Sequence, residues 1–178
     1  GFRFGFRGYA DTCNIKPDLV TYGKVIGGGF PVGAFGGKRE LMELTAPVGP
    51  MYQAGTMSAN PIAMQAGLTT LEILLNSDIY RELEEKGAYL SQQIDNLVVH
   101  VQQKGSLFWL CTSPVSGTIR SINNIPADIK PNYGSLFQHC LNDGIYLPPS
   151  AYEVGFLSTA HEKAELDTLA NSINRFSL

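Results

Sequence analysis

Residues 22–31 read Tyr22-Gly23-Lys24-Val25-Ile26-Gly27-Gly28-Gly29-Phe30-Pro31. One lysine stands between a polar turn and a glycine triplet. The nearest charges along the chain are Asp18 before it and Lys38 after it. Lysine is ordinarily a solvated surface residue. A lysine enclosed by glycines and apolar residues gives up its proton more readily, because burial disfavours the ammonium form. A neutral amine is what a Schiff-base nucleophile requires. The simpler reading of the same residues is an exposed loop lysine beside a flexible turn. Position and composition alone favour that one.

Outward from this run, residues 18–22 read as a short strand after the turn Lys16-Pro17-Asp18. Residues 32–37 read as a second, buried strand whose small side chains allow close approach. A short helix over 38–44 ends near Pro47. Asn60-Pro61 pairs an N-cap residue with a proline at the first helical position. That helix runs to about Asn76 with Ile62, Ala66, Thr69 or Thr70, and Ile73 on one face. Asp78 then caps a longer helix that turns Leu83, Leu90, Ile94, Leu97 and Val101 toward a core. Residues 107–111 and 117–122 read as strands joined by a proline–serine turn. A helix over 133–142 buries Leu136, Phe137, Cys140 and Leu141 and stops at Gly144. Short strands follow at 145–147 and 156–158. The last helix carries Leu166, Leu169, Ile173 and Phe176 and is capped by Ser158 or Thr159.

Helices and strands alternate, which makes the class α/β. The character changes near residue 76, from glycine-dense with short helices to longer amphipathic helices. Residues 1–76 and 77–178 therefore read as two domains.

Composition narrows the function. Hydrophobic residues make up 44% and charged residues only 16% of the 178. So low a charged fraction implies that a partner subunit or a further domain covers much of the surface. A net charge of −3 with no basic patch points away from nucleic acid and anionic membranes. No apolar run approaches the ~20 residues of a membrane span. Cys13, Cys111 and Cys140 are widely spaced and fit neither a disulfide framework nor a metal knuckle. They suit a reducing compartment such as the cytoplasm. His100, His139 and His161 form no metal-ligand pattern. The opening Gly1-Phe2-Arg3-Phe4-Gly5 has no signal-peptide character. It has no preceding turn or cap either, and reads as the middle of a longer chain.

A second run, Tyr52-Gln53-Ala54-Gly55-Thr56-Met57-Ser58-Ala59-Asn60-Pro61, ends at a helix N-terminus. Free N–H groups there attract phosphate. Gly55 permits close approach, and the Thr56 and Ser58 hydroxyls can donate to phosphate oxygens. Alone, this run reads more readily as an ordinary polar loop with an N-cap. It is not a P-loop, since no Gly-Lys-Ser/Thr follows a spaced glycine.

Taken together the two runs are far more specific. The segment from Gly23 to Gly37 resembles the cofactor-lysine segment of class III aminotransferases, which use pyridoxal phosphate. The Tyr52-Gln53-Ala54-Gly55-Thr56 form resembles the glutamate-1-semialdehyde 2,1-aminomutase branch of that family. Leu147-Pro148-Pro149-Ser150-Ala151-Tyr152-Glu153-Val154-Gly155-Phe156-Leu157-Ser158-Thr159-Ala160-His161 resembles the same branch. Gly1-Phe2-Arg3 is similar to the run that follows the family's Asp-Glu-Val strand.

The resemblance implies the fold type I architecture, with the end of the large cofactor-binding domain followed by a small α+β C-terminal domain. It implies that Lys24 forms the Schiff base with pyridoxal 5′-phosphate and carries protons as general acid and base. The cofactor would cycle through pyridoxamine 5′-phosphate. Thr56 and the Gly55 backbone would bind the phosphate of the neighbouring subunit's cofactor, making the assembly a homodimer. Tyr52 and Gln53 would lie near that interface, with Tyr52 and Glu153 toward the substrate. The full enzyme would convert glutamate-1-semialdehyde to 5-aminolevulinate for tetrapyrrole synthesis, in the cytoplasm or a plastid stroma.

Departures count as well. The family's pyridinium-pairing aspartate, substrate-carboxylate arginine and gating loop lie upstream of Gly1. Phe108-Trp109-Leu110-Cys111 stands where the family has a Met-Phe run. The N-terminal part of the enzyme is thus a missing partner, and the chain alone is expected to be inactive. Two other readings stay open: an ω-aminotransferase of the same class, and a non-catalytic assembly module whose lysine meets no cofactor.

Overall fold

The computed structural model describes all 178 residues, Gly1–Leu178, as two compact units, Gly1–Asp78 and Ile79–Leu178.

In the first unit a short helix α1 (Tyr9–Thr12) precedes strand β1 (Leu19–Tyr22), which pairs antiparallel with β2 (Ala34–Gly37). The register sets Tyr22 opposite Ala34 and Leu19 opposite Gly37. A 3₁₀ turn, Lys24–Gly27, begins the link between the strands. Helix α2 (Arg39–Met42) is shorter than the expected 38–44. Helix α3 (Pro61–Leu75) matches its expected span, with the Asn60 side chain at its N-terminus. Its buried stripe differs from the expected one. Ala63 and Gly67 are buried, while Ile62 and Ile73 are exposed. The cause is the 3₁₀ turn lying against the helix. A Cβ on Gly67 would sit 2.8 Å from the Ile26 carbonyl oxygen, so only glycine permits this approach. β2, expected to be buried, is largely exposed.

The second unit holds a three-stranded antiparallel sheet in the order β3 (His100–Lys104), β4 (Leu107–Cys111), β5 (Gly155–Phe156). Helices α4 (Ile79–Gln93), α5 (Ile129–Asn142) and α6 (Lys163–Arg175) complete it. Leu90, Leu110, Ile129, Leu136, Cys140, Leu166 and Ile173 form one continuous core. Apart from Ile26 and Ala63, every buried hydrophobic residue of the chain belongs to this unit.

Several expectations are corrected here. α4 ends at Gln93, so Val101 lies on β3 and Leu97 is 97% exposed. Asn96 stops the helix. Its Oδ1 accepts from the Val98 and Val99 N–H groups, and its Nδ2 donates to the Ile173 and Phe176 carbonyls. Residues 117–122 form no strand. Gln102 accepts from the Ile119 N–H and donates to the Ile119 carbonyl (3.2 Å), tying that loop to β3 by a side chain. Residues 145–147 are irregular rather than extended in a ladder. α5 starts at Ile129, one turn earlier than expected, and Leu141 is exposed. α6 is capped by Glu162, in a reciprocal capping box with Glu165, and not by Ser158 or Thr159. Ser158 instead donates its N–H to His161 Nδ1 (3.0 Å).

α5 and α6 are joined through Asp143. Its Oδ2 accepts from the Ser172 hydroxyl at 2.6 Å and from Arg175 at 2.9 Å. The Ser172 bond, helped by Arg175 and His139, holds the Asp143 carboxyl below its ordinary value. A carboxyl whose folded value is depressed adds stability above its unfolded value and loses it as pH falls through the folded one. Asp143→Asn is therefore expected to lower the urea midpoint near neutral pH. That difference should shrink below about pH 4, which paired urea titrations check.

Candidate active site

Lys24 stands one residue beyond β1, after Gly23, at the first position of the 3₁₀ turn, with φ +55°. A non-glycine residue in that left-handed region costs about 1–2 kcal/mol. Such strain persists only where surroundings enforce it, and it clusters at functional sites. The enforcement is visible on both sides. Tyr22 is held in the β1–β2 ladder, and the turn after Lys24 packs on α3, with Ile26 buried. The side chain itself is exposed. Within this chain, then, Lys24 is exposed, as the simpler reading of its sequence had it.

Lys24 lines a cleft of about 270 Å³ with Phe2, Arg3, Thr21 and Tyr22. The Phe2 and Tyr22 rings meet edge to face, with centroids 6.0 Å apart. An amine beside an aromatic wall suits a flat, carbonyl-bearing ring. The residues present therefore fit pyridoxal phosphate as far as this side of a site goes.

The 52–60 run is open to solvent, with Tyr52 85% exposed. Ser58 N–H donates to the Gly55 carbonyl at 3.0 Å, closing a turn around Thr56 and Met57. Thr56 has no hydrogen-bond partner in the chain. The phosphate reading of the α3 N-terminus is overturned. Pro61 has no N–H, and the Asn60 side chain accepts from Ile62 (3.1 Å) and Ala63 (3.2 Å). That terminus has spent its donors within the chain.

In the second unit Glu153 is exposed on the turn that follows Pro149, with its N–H donating to the Ser150 carbonyl (3.1 Å). Two aromatic donors fasten this turn. Tyr133 donates its hydroxyl to the Pro148 carbonyl (2.7 Å), and Trp109 Nε1 donates to the Ala151 carbonyl (2.8 Å). Burial, then Cys140 and Glu153, push the Tyr133 phenol up to about 12, so it remains a donor at neutral pH. The sequence reading missed both anchors. The signal available was a tryptophan at position 109, where the family has a Met-Phe run. Burial also raises the Cys111 and Cys140 thiols, which leaves them packing groups rather than nucleophiles. No helix is long and apolar enough to cross a membrane.

The aminotransferase class-III family matches residues 4–162. A glutamate-1-semialdehyde 2,1-aminomutase of Bdellovibrio bacteriovorus is 48% identical over 97% of this chain and 42% of its own length. The enzyme of that name from Leptospira biflexa is 51% identical over 90% of this chain and 39% of its own length. The chain thus spans about two-fifths of the curated relatives it matches. Among solved structures, an ω-transaminase from Sphaerobacter thermophilus superposes with a TM-score of 0.79 at 27% identity, over 97% of this chain and 41% of its own. A glutamate-1-semialdehyde aminomutase from Pseudomonas aeruginosa does so with the same TM-score at 19% identity over the same shares, a likeness of fold.

Proposed function

This chain belongs to the class-III aminotransferase family, and we propose that it is the C-terminal part of a pyridoxal-phosphate-dependent glutamate-1-semialdehyde 2,1-aminomutase. The whole enzyme would move an amino group between adjacent carbons to give 5-aminolevulinate, for tetrapyrrole synthesis in the cytoplasm. The observation that carries this reading is Lys24, held at positive φ between a strand end and a packed glycine turn and facing an aromatic-walled cleft. Names borne by relatives about half identical over nearly the whole chain support the aminomutase branch.

Pyridoxal phosphate, when bound, supplies an aldehyde for an amine to join and a ring that spreads the charge left by proton removal. In this reading residues 1–76 complete the domain that holds it, and 77–178 form the small domain. Lys24 Nζ would be the amine that holds that aldehyde, and the same group would hold and move the proton at the substrate carbon. A backbone fixed at Lys24 narrows the arc that its four-carbon side chain can sweep, which favours approach of the amine. Thr56 Oγ1 and the Gly55 backbone hold the phosphate of a neighbouring subunit's cofactor, so the enzyme acts as a homodimer. Tyr52 lies at that interface and Glu153 faces the substrate, its turn kept in place by Tyr133 and Trp109.

The ω-transaminase reading is kept alive by the Sphaerobacter thermophilus superposition. One assay on the whole enzyme separates the two. Conversion of glutamate-1-semialdehyde with no amino acceptor present supports the aminomutase. An absolute need for 2-oxoglutarate or another acceptor supports the transaminase.

A further inference from the structure

A cleft of about 450 Å³ in the second unit lies between the β3–β4 hairpin, the loop through Ile119 and Ile125, and the turn at Tyr152. Its volume falls within the range of small-molecule sites, roughly 300–1,000 Å³. The chemistry of its lining is unusually one-sided. Trp109 has spent its only donor on the Ala151 carbonyl, which fixes the indole and leaves its ring to the cleft. Gln102 has spent its amide on both backbone groups of Ile119. The polar groups of the floor are thus satisfied internally, and the floor acts as aromatic and aliphatic surface. Ile122, 78% exposed, extends that surface at the rim.

The one charged residue that lines the cleft is cationic. Arg120 lines the cleft, is exposed, and makes no hydrogen bond or ion pair within the chain. The Lys130 amine stands 5.6 Å from the centre of the Tyr152 ring. Asp128, the acid closest to it in sequence, is held by Ser113 (2.8 Å) and Asn132 (3.3 Å) and forms no ion pair with it. Glu153 does not line the cleft, and its charge is felt at Tyr133.

We propose that this cleft binds a small aromatic carboxylate, with the flat body on Trp109 and Tyr152 and the carboxylate on the Arg120 guanidinium. A guanidinium presents paired N–H donors that match a carboxylate, and aromatic floors favour offset stacking of flat groups. A neutral aromatic loses the charge-assisted pair, and a small aliphatic anion loses the stacking.

Trp109 is the single tryptophan of these 178 residues, so the fluorescence difference between the whole enzyme and its Trp109→Phe variant reports on this cleft. Benzoate titrated into the whole enzyme is expected to change that difference saturably, in the millimolar range. Calorimetric titration gives a second measure if the indole is silent. Benzyl alcohol and acetate are expected to bind about tenfold more weakly. Arg120→Gln should weaken benzoate by a similar factor and leave the melting temperature unchanged, since Arg120 has no partner to lose. No saturable signal by either method overturns the proposal. So does equal binding by the Arg120→Gln variant, or acetate binding as well as benzoate.

Discussion

Lys24→Ala in the whole enzyme is expected to abolish covalent attachment of pyridoxal phosphate and to lower turnover by about 10²–10⁴-fold, the range for losing a positioned acid–base group. Borohydride treatment followed by peptide mass spectrometry reads the attachment directly, as a pyridoxyl mass on the peptide holding Lys24. Lys24→Arg should fail equally, because a guanidinium is never the free base at working pH. A fold-only role for Lys24 makes a different prediction, and stability separates the two. Alanine at φ +55° keeps the backbone strain, so Lys24→Ala should melt with the wild type. Lys24→Gly removes the strain and should gain about 1 kcal/mol while staying equally inactive. A variant that is more stable and dead marks a position whose conformation is kept for chemistry. Retained labelling of the alanine variant sinks the assignment.

Gly87→Ala is the second large effect, and its sign runs against helix propensity. In an exposed helix interior, alanine in place of glycine gains about 1 kcal/mol. Gly87 sits inside α4, buried where the helix meets the β3–β4 hairpin. A Cβ there would collide with the Gly105 carbonyl oxygen and stand 2.5 Å from Gln103 Nε2. The carbonyl belongs to backbone at the hairpin's turn and cannot rotate aside. Gln103 Nε2 also donates to that same carbonyl (2.7 Å), so making room breaks a hydrogen bond. Overpacking of this kind costs about 1–3 kcal/mol. Chemical denaturation should show a loss of that size with an unchanged slope. A gain in stability would mean that the hairpin yields freely.

Legibility in the sequence followed the range of the forces at work. Asn60-Pro61 announced α3 because capping is local, and the same locality hid an error. The side chain that marks the helix start also consumes the N–H groups a phosphate would need. The strand before Lys24 was legible from the turn that precedes it, and the one after Lys24 from its small residues. The exposure of β2 was not, since burial is set by what lies across from a residue. β3 was missed because Asn96 ends α4 through bonds to residues nearly eighty positions away. The false strand at 117–122 has a related cause, a loop held by Gln102 that carries strand-like composition. Trp109 looked like a departure from a family pattern. Its role as an anchor became visible only with the Ala151 carbonyl in place.

The uneven division of buried apolar residues also bears on the order of synthesis. Residues 1–78 leave the ribosome before the rest of this chain, yet they hold only Ile26 and Ala63 as buried hydrophobics and expose Phe30, Phe35, Leu68 and Leu75. The next hundred residues, at roughly 5–20 per second, take about 5–20 s to follow. During that interval the segment bearing Lys24 cannot complete a core from its own residues and, as the end of a larger domain, depends on the part made before it. Ile79–Leu178, by contrast, can collapse around its own interior as soon as it is complete.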